Sequence, residues 1–457
     1  EVEQRALRHL AVFSGGWTFE AAESVIGEAE AMDGLMGLVN KSLVNVEEQD
    51  GKSRYRFLET IRQYAMEKLS EAGESEQARD HHFDYILKLA QSSNQEMFGM
   101  ESLQWLDQMD AEHDNLRAAL EWSMSSDPIK ALELANSVGG FWSARDYSSE
   151  ARTLCTSILA KTESAENADA LRAKVFSILA WTSITTGHPK EGRAAAEEGV
   201  RLARKASDTQ TFTRCLGMLA LACLFTGDID TALKAGEEAE ALARKGNYML
   251  ELSLTLTSLA QIIYSTTQDA SRAKAYVEEA MKISKAAGSQ WSDTMSAFGM
   301  AQVAGMLGDL EAASKKFEES AEHAQKFGNK RIVYASQSEL AHIQRKYGKL
   351  DEPLATYRNL LPKWNQLGHR AAVAHELECI AFILIRKEEP ERAASLLAAA
   401  EAIRKVIDSP MTQNEQEEYN NEVASLRSGI IDDEFNAFWS KGSSMTIDEA
   451  IELALNE

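Results

Sequence analysis

The side chains able to act as catalysts or metal ligands in this chain are few, and their spacing suits neither task. His81 and His82 are consecutive, which on a helix turns them about 100° apart, whereas two imidazoles sharing a metal need to lie one turn apart on the same face. His375-Glu376-Leu377-Glu378 begins like a zinc-protease helix but has no second histidine. His113-Asp114 reads as a structural pair. Cys155, Cys215, Cys223 and Cys379 lie far apart with no C-x-x-C, so neither a zinc site nor a disulfide framework is expected, and the thiols read as reduced core residues of a cytoplasmic protein. No G-x-x-x-x-G-K-[ST] loop occurs; Gly308-Asp309-Leu310-Glu311-Ala312-Ala313 lacks the second glycine and the lysine. The expectation is a chain that is not an enzyme and holds no cofactor or metal. Its chemistry should be recognition.

The elements that would position recognition residues are helices. Only six prolines occur in 457 residues, and Ala, Leu, Glu and Lys are abundant. No apolar run reaches the roughly 18 residues of a membrane span. The formal charge of −23 argues against a general nucleic-acid binder or a protein held on anionic lipid, both of which need a basic surface. The chain opens inside a helical pattern, at Glu1-Val2-Glu3-Gln4 without a methionine, and reads as a piece of something longer.

Residues 1–60 differ from the rest. Helical spacing over 3–13 is broken at Ser14-Gly15-Gly16, Thr18 with Glu20 and Glu23 suits the start of a second helix, and a third fits Met32 to Lys41. The period then changes to two, at Leu43-Val44-Asn45-Val46 and Ser53-Arg54-Tyr55-Arg56-Phe57, around an Asp50-Gly51 turn. Three helices and a hairpin predict a winged helix. Its third helix carries one lysine and no arginine, and residues 1–72 have eight basic against thirteen acidic side chains, so base readout is not expected of it. The wing residues Lys52, Arg54 and Arg56 could touch a phosphate; protein contact is the favoured use of the domain.

The segment Leu7-Arg8-His9-Leu10-Ala11-Val12-Phe13-Ser14-Gly15-Gly16-Trp17-Thr18-Phe19-Glu20-Ala21-Ala22-Glu23 resembles the winged-helix segment of bacterial STAND signal-transduction ATPases, the AfsR-like and LuxR-like regulators. The likeness continues through Leu38-Val39-Asn40-Lys41-Ser42-Leu43-Val44, through Arg54-Tyr55-Arg56-Phe57-Leu58-Glu59-Thr60-Ile61-Arg62-Gln63-Tyr64-Ala65, and through Ala111-Glu112-His113-Asp114-Asn115-Leu116-Arg117-Ala118-Ala119-Leu120. The resemblance implies an upstream nucleotide-binding domain, outside this chain and the only place where ATP is expected, on which the winged helix packs to hold a switch closed.

From about residue 130 one unit recurs. Its turn signature falls at Gly187-His188-Pro189, Gly227-Asp228-Ile229, Gln268-Asp269-Ala270, Gly308-Asp309-Leu310, Gly348-Lys349-Leu350 and Glu388-Glu389-Pro390, always 40 or 41 residues apart. A small residue follows five positions later (Gly192, Ala232, Ala273, Ala313, Ala393; Pro353 departs), and an apolar–small pair precedes by eight, as at Leu179-Ala180 and Leu219-Ala220. Gly246, Gly288, Gly328 and Gly368 punctuate the other turn. The chain is therefore read as all-α, a right-handed α-solenoid of helical hairpins. The pattern resembles tetratricopeptide repeats of about 40 residues more than HEAT or armadillo arrays. The expected organisation is a winged helix over 1–60, connecting helices over 61–129 (about 61–72, 75–97 and 101–124), the array over 130–431 and closing helices over 432–457.

In such arrays the first helix of each pair lines the concave face. Anchored on the apolar–small pair, this places Lys174, Trp181, Arg214, Gln261, Tyr264, Phe298, Gln302, His342, Arg345, His375 and Glu378 on the groove wall, where aromatics, amides and a few charges can hold a peptide, protein or small effector. The aromatics among them are equally suited to packing between repeats. The expected function is the sensor arm of a STAND switch, with a constitutive tetratricopeptide scaffold as the alternative and a DNA-binding regulator as the weaker third.

Overall fold

The helical period is realised almost throughout the computed structural model, which describes residues 1–49, 52–94, 102–266, 269–287, 290–411 and 413–456. The chain divides into two units, the first made of Glu1–Met97, Glu101–Phe141 and Ser157–Ala168, the second including Trp142–Thr156 and Asp169–Glu457.

The first unit begins with α1 (Val2–Leu10), α2 (Phe19–Ile26) and α3 (Glu28–Asn40), followed by β1 (Val44–Gln49) and β2 (Lys52–Phe57). The strands pair antiparallel from Val44 opposite Phe57 to Gln49 opposite Lys52; the expected Asp50-Gly51 turn lies outside the described residues. Trp17 bridges Tyr55 through two backbone bonds of 2.9 and 2.8 Å, so the Ser14-Gly15-Gly16 break delivers a third short strand segment to the wing. Gly16 sits at φ +89° with the Tyr55 carbonyl 2.7 Å from where a Cβ would stand, a place that a side chain would fill badly. Leu10, Phe13, Trp17, Val25, Leu35, Leu38 and Phe57 form the core. Two boundaries differ from expectation. α1 stops at Leu10, because Ala11, Val12 and Phe13 donate to carbonyls only three residues back, and α3 starts at Glu28 after Gly27 instead of at Met32. α4 (Glu59–Glu71), α5 (Ser75–Asn94), α6 (Ser102–Ala111) and α7 (His113–Ser126) follow. The single helix expected over 101–124 is broken at Glu112.

α8 (Pro128–Ala144) and α9 (Ser148–Lys161) lead to six hairpins: α10 (Asp169–Thr185) with α11 (Pro189–Lys205), α12 (Thr209–Phe225) with α13 (Ile229–Gly246), α14 (Met249–Thr266) with α15 (Ala270–Ala287), α16 (Gln290–Met306) with α17 (Leu310–Lys326), α18 (Lys330–Lys346) with α19 (Asp351–Gln366), and α20 (Arg370–Arg386) with α21 (Pro390–Ile407). The chain ends in α22 (Gln413–Ser428), α23 (Asp432–Ser443) and α24 (Ile447–Leu455). Much of the sequence signature has a physical cause, although Gln268 and Gly288 lie outside the described residues. Gly187, Gly227, Gly308, Gly348 and Glu388 take left-handed backbone at the turn. Asp228, Asp269 and Asp309 then accept the first free amides of the following helix. Ala180, Ala220, Ala260, Ala301, Ala341 and Ala381 are buried, as are Ala232, Ala273, Ala313 and Ala393 on the partner helices. At the second kind of turn Asn247, not Gly246, is the left-handed residue.

Two features of the second unit were not foreseen. The stack does not continue in phase to 431: the exposed face of α21 is covered by α23 and α24, while α22 lies against α20 and reaches α14, some 150 residues away in sequence. Gly442 of α23 fits directly over the Ser395 carbonyl, which a Cβ would meet at 2.1 Å. The unit is also fastened to itself. The Asn329 amide donates to the Ser143 and Ala144 carbonyls (3.0 Å each), Arg145 donates to the Phe327 carbonyl (2.6 Å), and the Arg331 amide donates to Asp146 (3.1 Å). These residues are over 180 positions apart, so the opening of the array is tied to the turn between its fourth and fifth full hairpins. Lys190 and Asp408 add an ion pair between more distant turns.

Candidate functional site

On the winged helix, Arg56 of the wing is exposed, and the Lys52 side chain lies outside the described residues. α3 exposes Met32 and Met36, with Val2 of α1 also exposed, and its lone Lys41 is paired with Glu3. Arg54, considered above as a phosphate contact, is turned inward instead. It is 9% exposed and its guanidinium meets Glu112 Oε1 at 2.7 Å and the carbonyls of Ala111 at 2.6 Å, Gly16 at 3.2 Å and Gly15 at 3.3 Å. Asn115 completes the junction by donating to the Gly16 carbonyl and to Glu112 while its oxygen accepts the Ser14 amide. Three separate motifs of the sequence (14–16, Arg54 and 112–115) thus converge on one buried polar knot. His113 stacks edge-on to Phe141, and Asp114 packs beside Gly15.

The array gathers some of the residues placed on its inner wall and disperses others. Lys174, Gln261 and Gln302 are half-buried on α10, α14 and α16. Trp181 is half-buried, with the Arg331 guanidinium 5.9 Å from its ring. Arg214 is spent on a 2.7 Å pair with the buried Glu251 of the next repeat. Phe298 packs on Phe317 at 5.3 Å in an inter-repeat cluster with Ala301, Ala313 and Ile343, so its ring serves the core. The Tyr264 side chain lies outside the described residues.

His342, Arg345, His375 and Glu378 come together on α18 and α20. Arg345, 6% exposed, stands 5.2 Å over the Phe382 ring and 3.2 Å from His342 Nδ1; burial, then this cation, hold the His342 imidazole well below its ordinary pKa and neutral. Glu378 forms a two-bonded fork with Arg404 of α21 at 2.7 and 2.9 Å. His375 lies 3.6 Å from Cys379 Sγ and 3.9 Å from Glu378, and Cys379, then Glu415 and Glu378, pull its pKa well above the ordinary value. Arg386 of α20 and Arg404 of α21 belong to the same strip through Glu422 and Glu378 and were not placed there from the sequence.

Glu376 lies on the same helix as His375 but is directed into the core. It is 1% exposed, accepts the Trp364 indole N–H at 3.1 Å, and is pushed up to about 7 mainly by burial, with Glu339 adding to the rise and His375 opposing it. Because the folded value exceeds the unfolded one, the folded chain binds the extra proton between roughly pH 4.5 and 7, and the stability so gained is lost as pH rises through that window. Between pH 5 and 8 the wild type should therefore lose ~3 kcal/mol more than Glu376→Gln, measured as urea midpoints of both proteins at the two pH values. Equal pH slopes would overturn this assignment.

Among the described residues, no group of three or more His, Cys, Asp or Glu is arranged to hold a metal, and no helix is long and apolar enough to cross a membrane.

Residues 2–70 match the model of the winged helix-turn-helix domain, and residues 140–221, 212–266 and 391–457 match that of anaphase-promoting complex subunit 5. Proteins of Mycobacterium tuberculosis and Mycobacterium bovis named as HTH-type transcriptional regulators are 32% identical over 257 residues, 53% of this chain and 29% of theirs. The chain thus spans less than a third of these relatives. Among solved structures, a Rap protein complexed with Competence and Sporulation Factor aligns with 86% of this chain and 94% of its own at 14% identity and a TM-score of 0.52. A STAND protein with a tetratricopeptide repeat sensor from Pyrococcus horikoshii aligns with 96% of this chain and 65% of its own at 14% identity and a TM-score of 0.43.

Proposed function

We propose that this chain, a winged helix-turn-helix domain joined to a tetratricopeptide-like α-solenoid in the manner of STAND-type regulators, is the non-catalytic sensor arm of such a protein. In this reading the inner wall of the array takes an activating ligand or protein, and the winged helix couples that event to a nucleotide-binding domain carried elsewhere in the whole protein, where ATP would bind. The observation that carries the reading is the strip of His342, Arg345, His375 and Glu378. Packing alone would fill such positions with apolar groups, as it does next door at Ala341, Leu377 and Ile380. Buried charges are costly to keep and add little net stability, so a wall that retains them is suited to orienting a polar partner. A ligand can drive the switch only by binding the released form better than the closed one.

The test is native mass spectrometry of the chain after incubation with small-molecule and peptide pools kept separate. A discrete adduct is expected on the wild type and not on Gln261→Ala/His342→Ala. Undiminished capture by that variant, or no adduct from either pool, sinks the inner-wall assignment. The apolar and acid-neutralised face of α3 supports protein contact by the winged helix. Mobility-shift titration with random duplex DNA should accordingly give no measurable binding at low salt, whereas affinity falling steeply with added salt would revive the DNA-binding reading.

A further inference from the structure

We infer that the wall formed by α18 and α20 is a docking site for an acidic amphipathic helix, and that α22 is this chain's own occupant of it, to be displaced by an incoming segment of the same chemistry. The inference rests on the sensor reading above and names the class of partner.

α22 leaves the stacking pattern. The face of α21 is covered by α23 and α24, which carry Phe435, Ala450, Ile451 and Ala454 into the terminal core; Tyr419 and Leu426 of α22 join the edge of that core. α22 itself touches α20 and α14 and pairs with Arg345 of α18. Its inward stripe is Glu415, Glu418, Tyr419, Glu422, Val423 and Leu426, at spacings of three and four residues. Three of these six are acids, and each has a cation opposite. Glu418 meets Arg345 at 2.6 Å, Glu422 takes both arms of Arg386 at 2.7 and 3.1 Å, and Glu415 lies 3.7 Å from His375.

A wholly apolar seam would make α22 nothing but core, and Tyr419, Val423 and Leu426 do pack there. Here half of the seam is electrostatic, and the buried Tyr419 hydroxyl has no hydrogen-bond partner among the described residues. The helix carries four Glu and one Arg over Gln413–Ser428, so it is an acidic strand of charge laid along the cations of α18 and α20. Two parts of one wall, 41 residues apart in sequence, thus read out acids at positions i, i+3 and i+7 of a helix. Any helix with that pattern and an aromatic or aliphatic residue after the second and third acids, as Tyr419 and Val423 stand here, fits the same wall. While α22 is seated, its effective concentration is set by the short connections on either side, and an outside helix must compete with it.

The test uses the whole chain and a fluorescein-labelled peptide of residues 413–428, read by anisotropy. In Glu418→Arg/Glu422→Arg the resident helix faces like charges and should leave the wall; the wild-type peptide should then bind about tenfold or more tighter than it binds the wild-type chain, by the fraction of wall freed. Arg345→Glu/Arg386→Glu in an otherwise wild-type chain also sets like charges against the resident helix; that chain should refuse the wild-type peptide and bind a peptide carrying Glu418→Arg/Glu422→Arg. A peptide with its acids changed to Gln that binds equally well would overturn the inference, as would failure of the wild-type peptide to bind the freed wall. Should the charge-reversed chain not fold, hydrogen exchange on the wild type decides: amides of 413–428 should exchange faster than those of α21 and α23 and faster still with excess peptide, and protection equal to α21 that peptide leaves unchanged overturns it. Loss of peptide binding with effector capture intact would remove this inference alone; loss of groove-dependent capture would remove the sensor reading.

Discussion

Arg54→Ala should destabilise the first unit by ~3–5 kcal/mol while leaving the melting of the second unit in place. The magnitude follows from what is left behind. Removing one partner of a buried ion pair strands the other charge, and that costs more than the pair itself contributes. Here the stranded group is Glu112, 2% exposed, whose pKa burial already raises with Arg54 present. The Ala111 and Gly15 carbonyls lose this donor as well, while Gly16 keeps that of Asn115. In calorimetry of a unit of this size, 3–5 kcal/mol corresponds to a fall of roughly 10 °C in the first transition. Arg54→Ala/Glu112→Gln should recover part of the loss, because the uncompensated charge is gone. A single variant that melts like the wild type would mean that the knot is not needed for the fold. Arg54→Lys separates charge from geometry: an ammonium can hold Glu112 but cannot also reach the carbonyls on either side, so an intermediate loss is expected.

That knot marks how far the sequence could be read. The motif Glu112-His113-Asp114-Asn115 stands nearly 60 residues from Arg54 and 100 from Gly15, and nothing local in any of the three announces the others. Arg54 alternates with Tyr55 on a wing strand and looks solvent-facing until the bridge of Trp17 to Tyr55 folds the Gly15-Gly16 carbonyls over it. The repeats were legible for the opposite reason. Ala180, Ala220 and their equivalents sit where helix meets helix in every copy, so a local requirement is written once per period. The groove was half legible. The anchor pair gives the phase of each inner helix, which gathered His342, Arg345, His375 and Glu378, but the same phase placed Phe298 on a wall when neighbouring repeats wrap far enough round to take its ring into their core. α22 has a readable acidic stripe, yet its placement depends on Arg345 and Arg386 on other helices, and pairings across tens of residues leave no period behind.

The closure of the array on itself gives the other large effect. Asn329→Ala should cost about 3 kcal/mol and broaden the unfolding of the second unit. Asn329 is fully buried and does two jobs: its oxygen caps α18 by accepting the Ile332 amide at 3.0 Å, and its amide nitrogen satisfies the last carbonyls of α8. Loss of the cap accounts for about 1 kcal/mol and two orphaned buried carbonyls for the rest. The broadening follows from the topology. A stack of hairpins is coupled only through neighbours, so it can fray from either end, whereas a contact over 185 residues makes the opening of the array depend on its middle. Asp146 tests the same contact by charge. Burial raises its pKa, and Arg331 opposes that rise; Asp146→Asn keeps a residue tolerant of its left-handed backbone and deletes only the charge. If both act through one fastening, Asn329→Ala/Asp146→Asn should cost clearly less than the sum of the single variants. Faster hydrogen exchange should appear at 143–146 and 327–331 together in each of them. Strict additivity, or exchange confined to the mutated side, would mean that the two ends are held independently.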